Sequence, residues 1–202
     1  MIGELSAKYE SNGGPGTISD GYGDPGGKSY GTYQLSSNAG SLEEFVEWLI
    51  DNGYWFGNEL NKYYLTSPEF DSAWEWLANS ANAQDFADAQ HKYAIYAYYD
   101  PAVRSLRTAG FNIENHNDVM KDVVFSRSIQ YGPGLIVEMF EEAVGYMGYP
   151  NLSYIDDAKF DYDLIVSVYL KVCSSLEWNN SAVREGVNAR FRSECQDALD
   201  RL

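Results

Sequence analysis

A glycine-rich segment over residues 13–31 precedes a long stretch with a helical pattern, and together they limit the possible folds of this sequence. Glycine adopts positive φ angles at little steric cost, so this segment can turn tightly beside an extended ligand. It differs from a plain linker because Asp, Tyr and Gln are interspersed among its glycines up to Gln34. β-compatible residues around Tyr30 to Leu35 predict a small hairpin or an irregular flap; a flexible loop is the alternative.

Apolar residues at helical spacing predict that most of the remaining chain is α-helical. Ser41 and Ser67 are the predicted N-caps of two helices. Gly53 is predicted to end the helix that Ser41 begins, and Gly110 is predicted to end another. The fold class that follows is mostly α, with one small glycine-rich β or loop element. The predicted helices span about 2–11, 41–53, 82–99, 101–109, 117–131, 134–145, 156–175 and 179–200, with a further helix that starts at Pro68 and includes Trp74 and Leu77.

Length and charge narrow the domain organisation and the partners. A chain of 202 residues fits a single domain over 1–202. Asp and Glu number 30 against 14 Lys and Arg, a formal charge of −16 that opposes binding to nucleic acid or anionic membranes. Such acidity serves solubility in the simplest interpretation, and it also suits a positively charged sugar polymer.

The cysteines, the histidines and the hydropathy indicate neither a metal nor a membrane. Cys173 and Cys195 show no metal-ligand or redox spacing, so we predict two buried thiols, with a single disulfide as the alternative. His91 and His116 lack the partners that a zinc site requires, and no cofactor is predicted. Without a run of about 18 apolar residues or a basic leader, we expect neither a membrane span nor a signal peptide in this chain.

The aromatic residues also suggest a surface role for one of two tryptophans. Trp74 and Trp76 are two positions apart on a predicted helix, so only one can face the core squarely. The other is predicted to be a partly exposed aromatic platform. Most of the 17 tyrosines are expected to pack in the core, with Tyr30 and Tyr33 the best candidates for contact with a sugar.

Carboxylates near the glycine-rich segment are candidates for acid–base chemistry. Glu10 falls in the last turn of the first predicted helix, where the helix dipole and nearby tyrosines would raise its pKa. A carboxyl that stays protonated near neutral pH can protonate the leaving oxygen of a glycosidic bond. Asp20 and Asp24 are both candidates for the second acid, with Asp24 favoured, although either could instead cap its own turn.

The order of these motifs resembles the lysozyme superfamily, and lytic transglycosylases in particular. The resemblance is carried by Glu10-Ser11, the glycine-rich turn and Gly31-Thr32-Tyr33-Gln34. It implies a lysozyme-like, two-lobed fold in which Glu10 is the catalytic acid. It also implies that Ser11, Tyr30, Tyr33 and Gln34 line a saccharide cleft.

A second phrase resembles one group of phage endolysins and cell-wall lysins. It runs from Phe125 to Gly134 and contains Ser126, Gln130 and Tyr131, which the resemblance places against the substrate opposite Glu10. The implied product is a hydrolysed end or, if a single Glu acts as acid and then base, an anhydro sugar.

These observations predict an enzyme, a glycoside hydrolase or lytic transglycosylase that acts on the bacterial cell wall. The predicted function is phage-endolysin-like cleavage of the peptidoglycan glycan strand, with peptidoglycan or a related β-1,4 amino-sugar polymer as the partner. A chitosanase-type hydrolase and a catalytically silent, saccharide-binding phage structural protein are the alternatives. We expect the protein to be made in the host cytoplasm and to act on the cell wall.

Overall fold

Helices make up most of the chain that the computed structural model describes, namely residues 2, 3, 5, 13–23, 25–174 and 184–202. The prediction of a mostly α fold with a small glycine-rich β element is therefore confirmed. Glu10, Ser11 and Asp24 lie outside the described residues, as does most of the predicted first helix. The chain divides into two compact units, one spanning 10–95 and the other combining 1–9 with 96–202.

The unit spanning 10–95 contains a two-stranded antiparallel hairpin and four helices among its described residues. Strand β1 (Ser29–Tyr30) pairs with β2 (Leu35–Ser36), with Ser29 opposite Ser36 and Tyr30 opposite Leu35. The helices are α1 (Ser41–Asp51), α2 (Trp55–Leu60), α3 (Pro68–Asn79) and α4 (Ala83–Ala94).

An aromatic cluster forms the core of this unit. Trp74 of α3 contacts Phe45 of α1 and Phe86 of α4 in edge-to-face geometry, with ring centroids 5.8 and 5.0 Å apart. Tyr93 of α4 reaches Phe45 at 5.1 Å. Each such pair adds about 0.5–1.5 kcal/mol beyond the burial of its area, so the cluster holds the three helices together.

The other unit contains the remaining described helices. They are α5 (Asp100–Thr108), α6 (Asp118–Tyr131), α7 (Ile136–Tyr146), α8 (Asp161–Ser174) and α9 (Arg184–Leu199). Helix α8 packs against both α7 and α9. Asp122 of α6 ties the two ends of the chain into this unit, since it accepts the backbone N–H of Gly3 at 2.7 Å and pairs with Arg201 at 2.6 Å.

The helix boundaries confirm one predicted cap and correct another. Ser67 is the N-cap of α3, and its hydroxyl accepts the N–H of Phe70 at 3.1 Å. Ser41 is not a cap but the first residue of α1, because its hydroxyl accepts the N–H of Ser36 from the hairpin at 2.8 Å. Gly40 takes the cap position with φ 86°.

The predicted break at Asp100-Pro101 is also wrong. Helix α4 continues through a π-helical turn, Ile95–Tyr99, directly into α5. Pro101 is tolerated because it occupies the first turn of α5, where a missing N–H costs little. Gly110 ends α5 as predicted, with φ 95°.

The apolar pattern places the core correctly on most helices. Leu42, Phe45, Val46 and Leu49 are all buried along α1, as predicted. Leu170 of α8 is an exception: the amphipathic pattern groups it with Leu164, Ile165 and Val168 and predicts a place on the buried face, yet it is 63% exposed. Among the described residues, no helix has the length and apolarity needed to cross a membrane.

Candidate functional site

The glycine-rich segment forms an ordered hairpin rather than a loose loop. Ile18 forms an antiparallel bridge with Tyr30, and the N–H of Gly31 donates to the carbonyl of Thr17 at 2.7 Å. The N–H of Ser19 donates to the carbonyl of Ser29 at 2.9 Å. The backbone of residues 17–19 is therefore pinned alongside β1, and the tip of the hairpin, residues 31–34, is held in one conformation.

Only glycine fits at position 31. Its φ is 73°, and a Cβ built there would lie 2.3 Å from Oε1 of Gln90. The Gln90 side chain approaches so closely because Oε1 accepts the N–H of Thr32 at 3.1 Å while Nε2 donates to the carbonyl of Pro15 at 3.0 Å. Gln90 is buried, and it bridges two parts of the glycine-rich segment.

Tyr33 and Gln34 are the predicted binding residues that the hairpin presents at its tip. The hydroxyl of Tyr33 lies 2.6 Å from Nδ1 of His91, and its ring is half-buried. Gln34 is exposed and has a positive φ of 51°; its Nε2 donates to the carbonyl of Gly31 at 2.9 Å. The tip thus places an aromatic ring and an amide side by side on one rigid turn.

Tyr30, also predicted to contact a sugar, is placed differently by the structure. Its ring is fully buried against Phe70 and Trp74, with centroids 5.5 and 5.3 Å away. Its hydroxyl donates to Asp71 at 2.5 Å, and burial together with this carboxylate raises its pKa well above the ordinary range. In this position Tyr30 supports the hairpin from inside and does not offer a surface to a ligand.

Asp71 joins that support to a lysine of the same segment. Nζ of Lys28 lies 2.5 Å from Oδ2 of Asp71 and donates to the carbonyl of Thr66 at 3.2 Å. Both charged side chains are partly buried. The pair fixes β1 to the start of α3, which explains why the strand is ordered although it is only two residues long.

Of the three predicted acids, the structure describes Asp20 alone. Its side chain is exposed, and Oδ1 accepts the N–H of Tyr22 at 3.0 Å. This is the local turn cap considered as an alternative role from the sequence. The catalytic assignments of Glu10, Asp24 and Asp20, and the binding assignment of Ser11, stay predictions.

The second phrase of the resemblance belongs to α6, in the other unit. Ser126 is fully buried: its hydroxyl donates to Glu194 and accepts from Nη2 of Arg127 at 2.9 Å. Gln130 is half-buried with an interior Oε1, and Tyr131 lines a groove of about 190 Å³. Tyr131 is therefore the member of this trio best placed to contact a ligand, whereas the Ser126 hydroxyl is engaged in the interior.

Several residues that support the site were not assigned that role from the sequence. Trp74 donates through Nε1 to the carbonyl of Pro15 at 2.9 Å, beside the Gln90 contact with the same carbonyl. His91 follows Gln90 and holds Tyr33. The consecutive Gln90-His91 pair in a helix that follows a glycine-rich segment is the one sequence signal that could have indicated them.

Comparison with known proteins gives a family. Residues 2–195 match the family described as type VI secretion system spike protein VgrG3-like, C-terminal. The chain is similar to the type VI secretion system spike protein VgrG3 of Vibrio cholerae serotype O1, at 37% identity over 132 residues. That alignment covers 65% of this chain and 12% of the relative, so the chain corresponds to a small part of that protein.

These findings overturn the identification made from the sequence motifs. The assignment to a lysozyme-superfamily group of phage endolysins is wrong, and with it the phage-endolysin-like function assigned to this chain. The chitosanase and phage structural alternatives are corrected for the same reason. A short Glu-Ser and Gly-x-x-Gln pattern is less specific than a match that extends over nearly the whole chain. The chain belongs to the family of VgrG3-like C-terminal domains of type VI secretion system spike proteins.

Proposed function

We propose that this chain is a domain carried by a type VI secretion spike, and that its target is the amino-sugar glycan of a bacterial cell wall. The family match supports the first part. The second part rests on one observation, the rigid hairpin tip that presents Tyr33 and Gln34 together. An aromatic face beside an amide is suited to a pyranose ring, which has an apolar face and a rim of hydroxyls.

The way the tip is held favours a binding role. Tyr33 is fixed by His91, and Gln34 by its own turn, so neither side chain has to be ordered when a ligand arrives. Preorganised polar groups bind more tightly because the entropy of ordering is already lost in the free protein. A hairpin that served only to connect helices would not need this support from buried Gln90 and partly buried Asp71.

We also propose that the domain is an enzyme acting on that wall, of the glycoside hydrolase or lytic transglycosylase class. The chemistry requires a protonated acid beside the scissile bond. Glu10 is the proposed acid, with Asp24 or Asp20 as the second carboxylate. A two-lobed fold is part of the same proposal.

The proposed location follows from delivery by the spike. We infer synthesis in the cytoplasm of the producing bacterium, export with the rest of the spike, and action on a cell wall. The rest of the spike is thus the partner for delivery, and the wall glycan is the partner for action. The net charge of −16 favours contact with unacetylated, cationic amino sugars over contact with anionic wall polymers.

The decisive experiment separates binding from turnover. Purified bacterial cell walls are incubated with the wild-type chain, with Glu10→Gln, and with Glu43→Gln as a matched control on the exposed face of α1. We expect the wild type and Glu43→Gln to sediment with walls and release new sugar ends, and Glu10→Gln to sediment without release. Mass spectrometry of the fragments distinguishes hydrolysed from anhydro ends.

Two results would contradict the proposal. If the wild type does not sediment with walls, the glycan is not its target. If it sediments but releases no fragments, the enzymatic part fails and a binding domain remains. Equal release by the wild type and Glu10→Gln would reassign the acid.

A further inference from the structure

A second groove in the unit spanning 10–95 lies outside the hairpin tip. It has a volume of about 540 Å³, within the usual range for sites that bind small molecules. It is formed by the end of α2, the turn after it and the first half of α3. Tyr63, Trp76, Glu59 and Glu69 line it.

Exposed aromatic rings surround this groove. Trp76 is 53% exposed and packs edge-to-face on Trp55, with centroids 5.9 Å apart, and Trp55 is itself 43% exposed. Trp74, two positions before Trp76, is fully buried, so the predicted division between a core tryptophan and a surface tryptophan is confirmed. Large aromatic side chains held in place at a surface are typical of recognition sites.

The polar groups of the groove define the chemistry of its ligand. Glu59 and Glu69 are hydrogen-bond acceptors when ionised, and they repel anions. Glu59 is already paired with Lys62, so Glu69 is the groove carboxylate whose charge is more available to a ligand. A ligand that fits must have an apolar face for the rings and several N–H or O–H donors for the carboxylates.

We propose that the Trp76 groove is an accessory subsite for an amino-sugar residue of the glycan, distinct from the hairpin tip. This inference rests on the proposed function, because it takes the same polymer as ligand. The pyranose ring stacks on Trp76, and its hydroxyl and amino groups donate to Glu59 and Glu69. Glucosamine, with its ammonium group, binds more tightly here than N-acetylglucosamine.

The test uses defined oligosaccharides and a matched aromatic control. Tetramers of glucosamine and of N-acetylglucosamine are titrated into the wild type, Trp76→Ala and Tyr162→Ala, with binding measured by calorimetry. Tyr162 is 58% exposed and lies in the other unit, so it controls for the loss of an exposed ring. We expect Trp76→Ala to weaken binding about tenfold or more and Tyr162→Ala to leave it unchanged.

A second variant tests the carboxylates. Glu59→Gln combined with Glu69→Gln is expected to weaken binding of the glucosamine tetramer more than that of the N-acetylated tetramer, because only the first carries a cation. Circular dichroism and thermal unfolding establish that each variant is folded; if Trp76→Ala unfolds, Trp76→Gln replaces it.

The outcomes separate this proposal from the proposed function. If the wild type binds walls and tetramers but Trp76→Ala binds them equally well, the subsite is wrong and the wall target stands. If binding falls equally for both tetramers in the double Gln variant, the preference for the amino group is wrong. Failure of the wild type to bind walls and both tetramers would overturn both proposals together.

Discussion

The hydroxyl of Tyr33 lies 2.6 Å from Nδ1 of His91, and this hydrogen bond joins the tip of the glycine-rich hairpin to helix α4. The two rings also lie near each other, with centroids 6.1 Å apart and a tilt of 34°. A tyrosine fixed at its far end cannot rotate away from a ligand that contacts its face. The bond therefore links the order of the core to the geometry of the proposed binding site.

We expect removal of the Tyr33 hydroxyl to reduce binding to cell walls by a larger proportion than it reduces the free energy of unfolding. Tyr33→Phe loses one partly buried hydrogen bond, which typically contributes about 0.5–1.5 kcal/mol to the free energy of unfolding. The ring remains but is no longer anchored, so we expect a larger proportional loss of cell-wall binding. Urea unfolding and wall sedimentation measure the two effects, and Tyr162→Phe serves as the control. Unchanged sedimentation would show that the anchored ring is not part of the binding surface.

A methyl group at position 31 should be far more damaging than one at another glycine with the same φ. Gly31→Ala combines the strain of φ 73° with a contact of 2.3 Å to Gln90, while Gly53→Ala has φ 74° and open space around it. Gly53→Ala therefore measures the strain alone, about 1–2 kcal/mol. We expect a greater loss for Gly31→Ala in thermal unfolding. Equal losses would mean that the Gln90 side chain moves aside freely.

The buried ion pair between Arg127 and Glu194 ties α6 to α9. Nη2 of Arg127 lies 2.7 Å from Oε2 of Glu194, and both side chains are fully buried. The guanidinium also lies over the rings of Tyr169 and Phe191, at 5.0 and 4.9 Å from their centroids. Burial of the Tyr169 phenol raises its pKa well above the ordinary value.

Replacing one partner of this ion pair should lower the free energy of unfolding more than replacing both partners with apolar residues. Glu194→Leu leaves a buried cation without its carboxylate and is expected to cost about 3–5 kcal/mol of the free energy of unfolding. The double variant Arg127→Met/Glu194→Leu removes both charges, so much of that loss should return. Urea unfolding of the single and double variants forms a mutant cycle; a double variant no more stable than Glu194→Leu would contradict this account.

The sequence predicted the elements whose signals are local. Three such signals depend only on neighbouring residues, and the structure contains the predicted feature in each case. They are the helical spacing of apolar residues along α1, the Ser67-Pro68 start of α3 and the glycine that ends α5. The carboxylate partners of His116 were missed because they are distant in sequence. Its Nδ1 lies 2.6 Å from Asp161 and its Nε2 lies 3.2 Å from Asp156.

The same limit applies to other polar side chains. Asp156 begins the helix predicted over 156–175, and its acceptance of the N–H of Asn112 at 2.7 Å depends on a residue far away in the sequence. Ser126 was expected at the substrate because of the motif around it, whereas its burial depends on Glu194, 68 positions away. Periodicity identifies which face of a helix is buried, but it does not identify the polar partner brought there by tertiary packing.

The two thiols should react slowly with alkylating reagents. Both cysteines are free and partly buried rather than fully buried as predicted. Burial is the largest cause that raises the pKa of Cys195 from 9.0 to about 11, and the nearby Cys173 and Glu194 raise it further by smaller amounts. Burial also raises the pKa of Cys173. Since only the thiolate reacts, this shift lowers the reactive fraction of Cys195 at pH 8 by about 100-fold.

Alkylation of the wild-type chain with iodoacetamide, followed by mass spectrometry at each cysteine, measures this effect for Cys195 separately from Cys173. The folded chain should react far more slowly than the urea-unfolded chain at pH 8, and the difference should narrow as the pH approaches 11. Because the unfolded state releases its proton first, the thiol carries no penalty below about pH 9. The resulting loss of stability grows between about pH 9 and 11 and keeps its full value above pH 11. Equal rates for folded and unfolded chains at pH 8 would show that Cys195 is not desolvated.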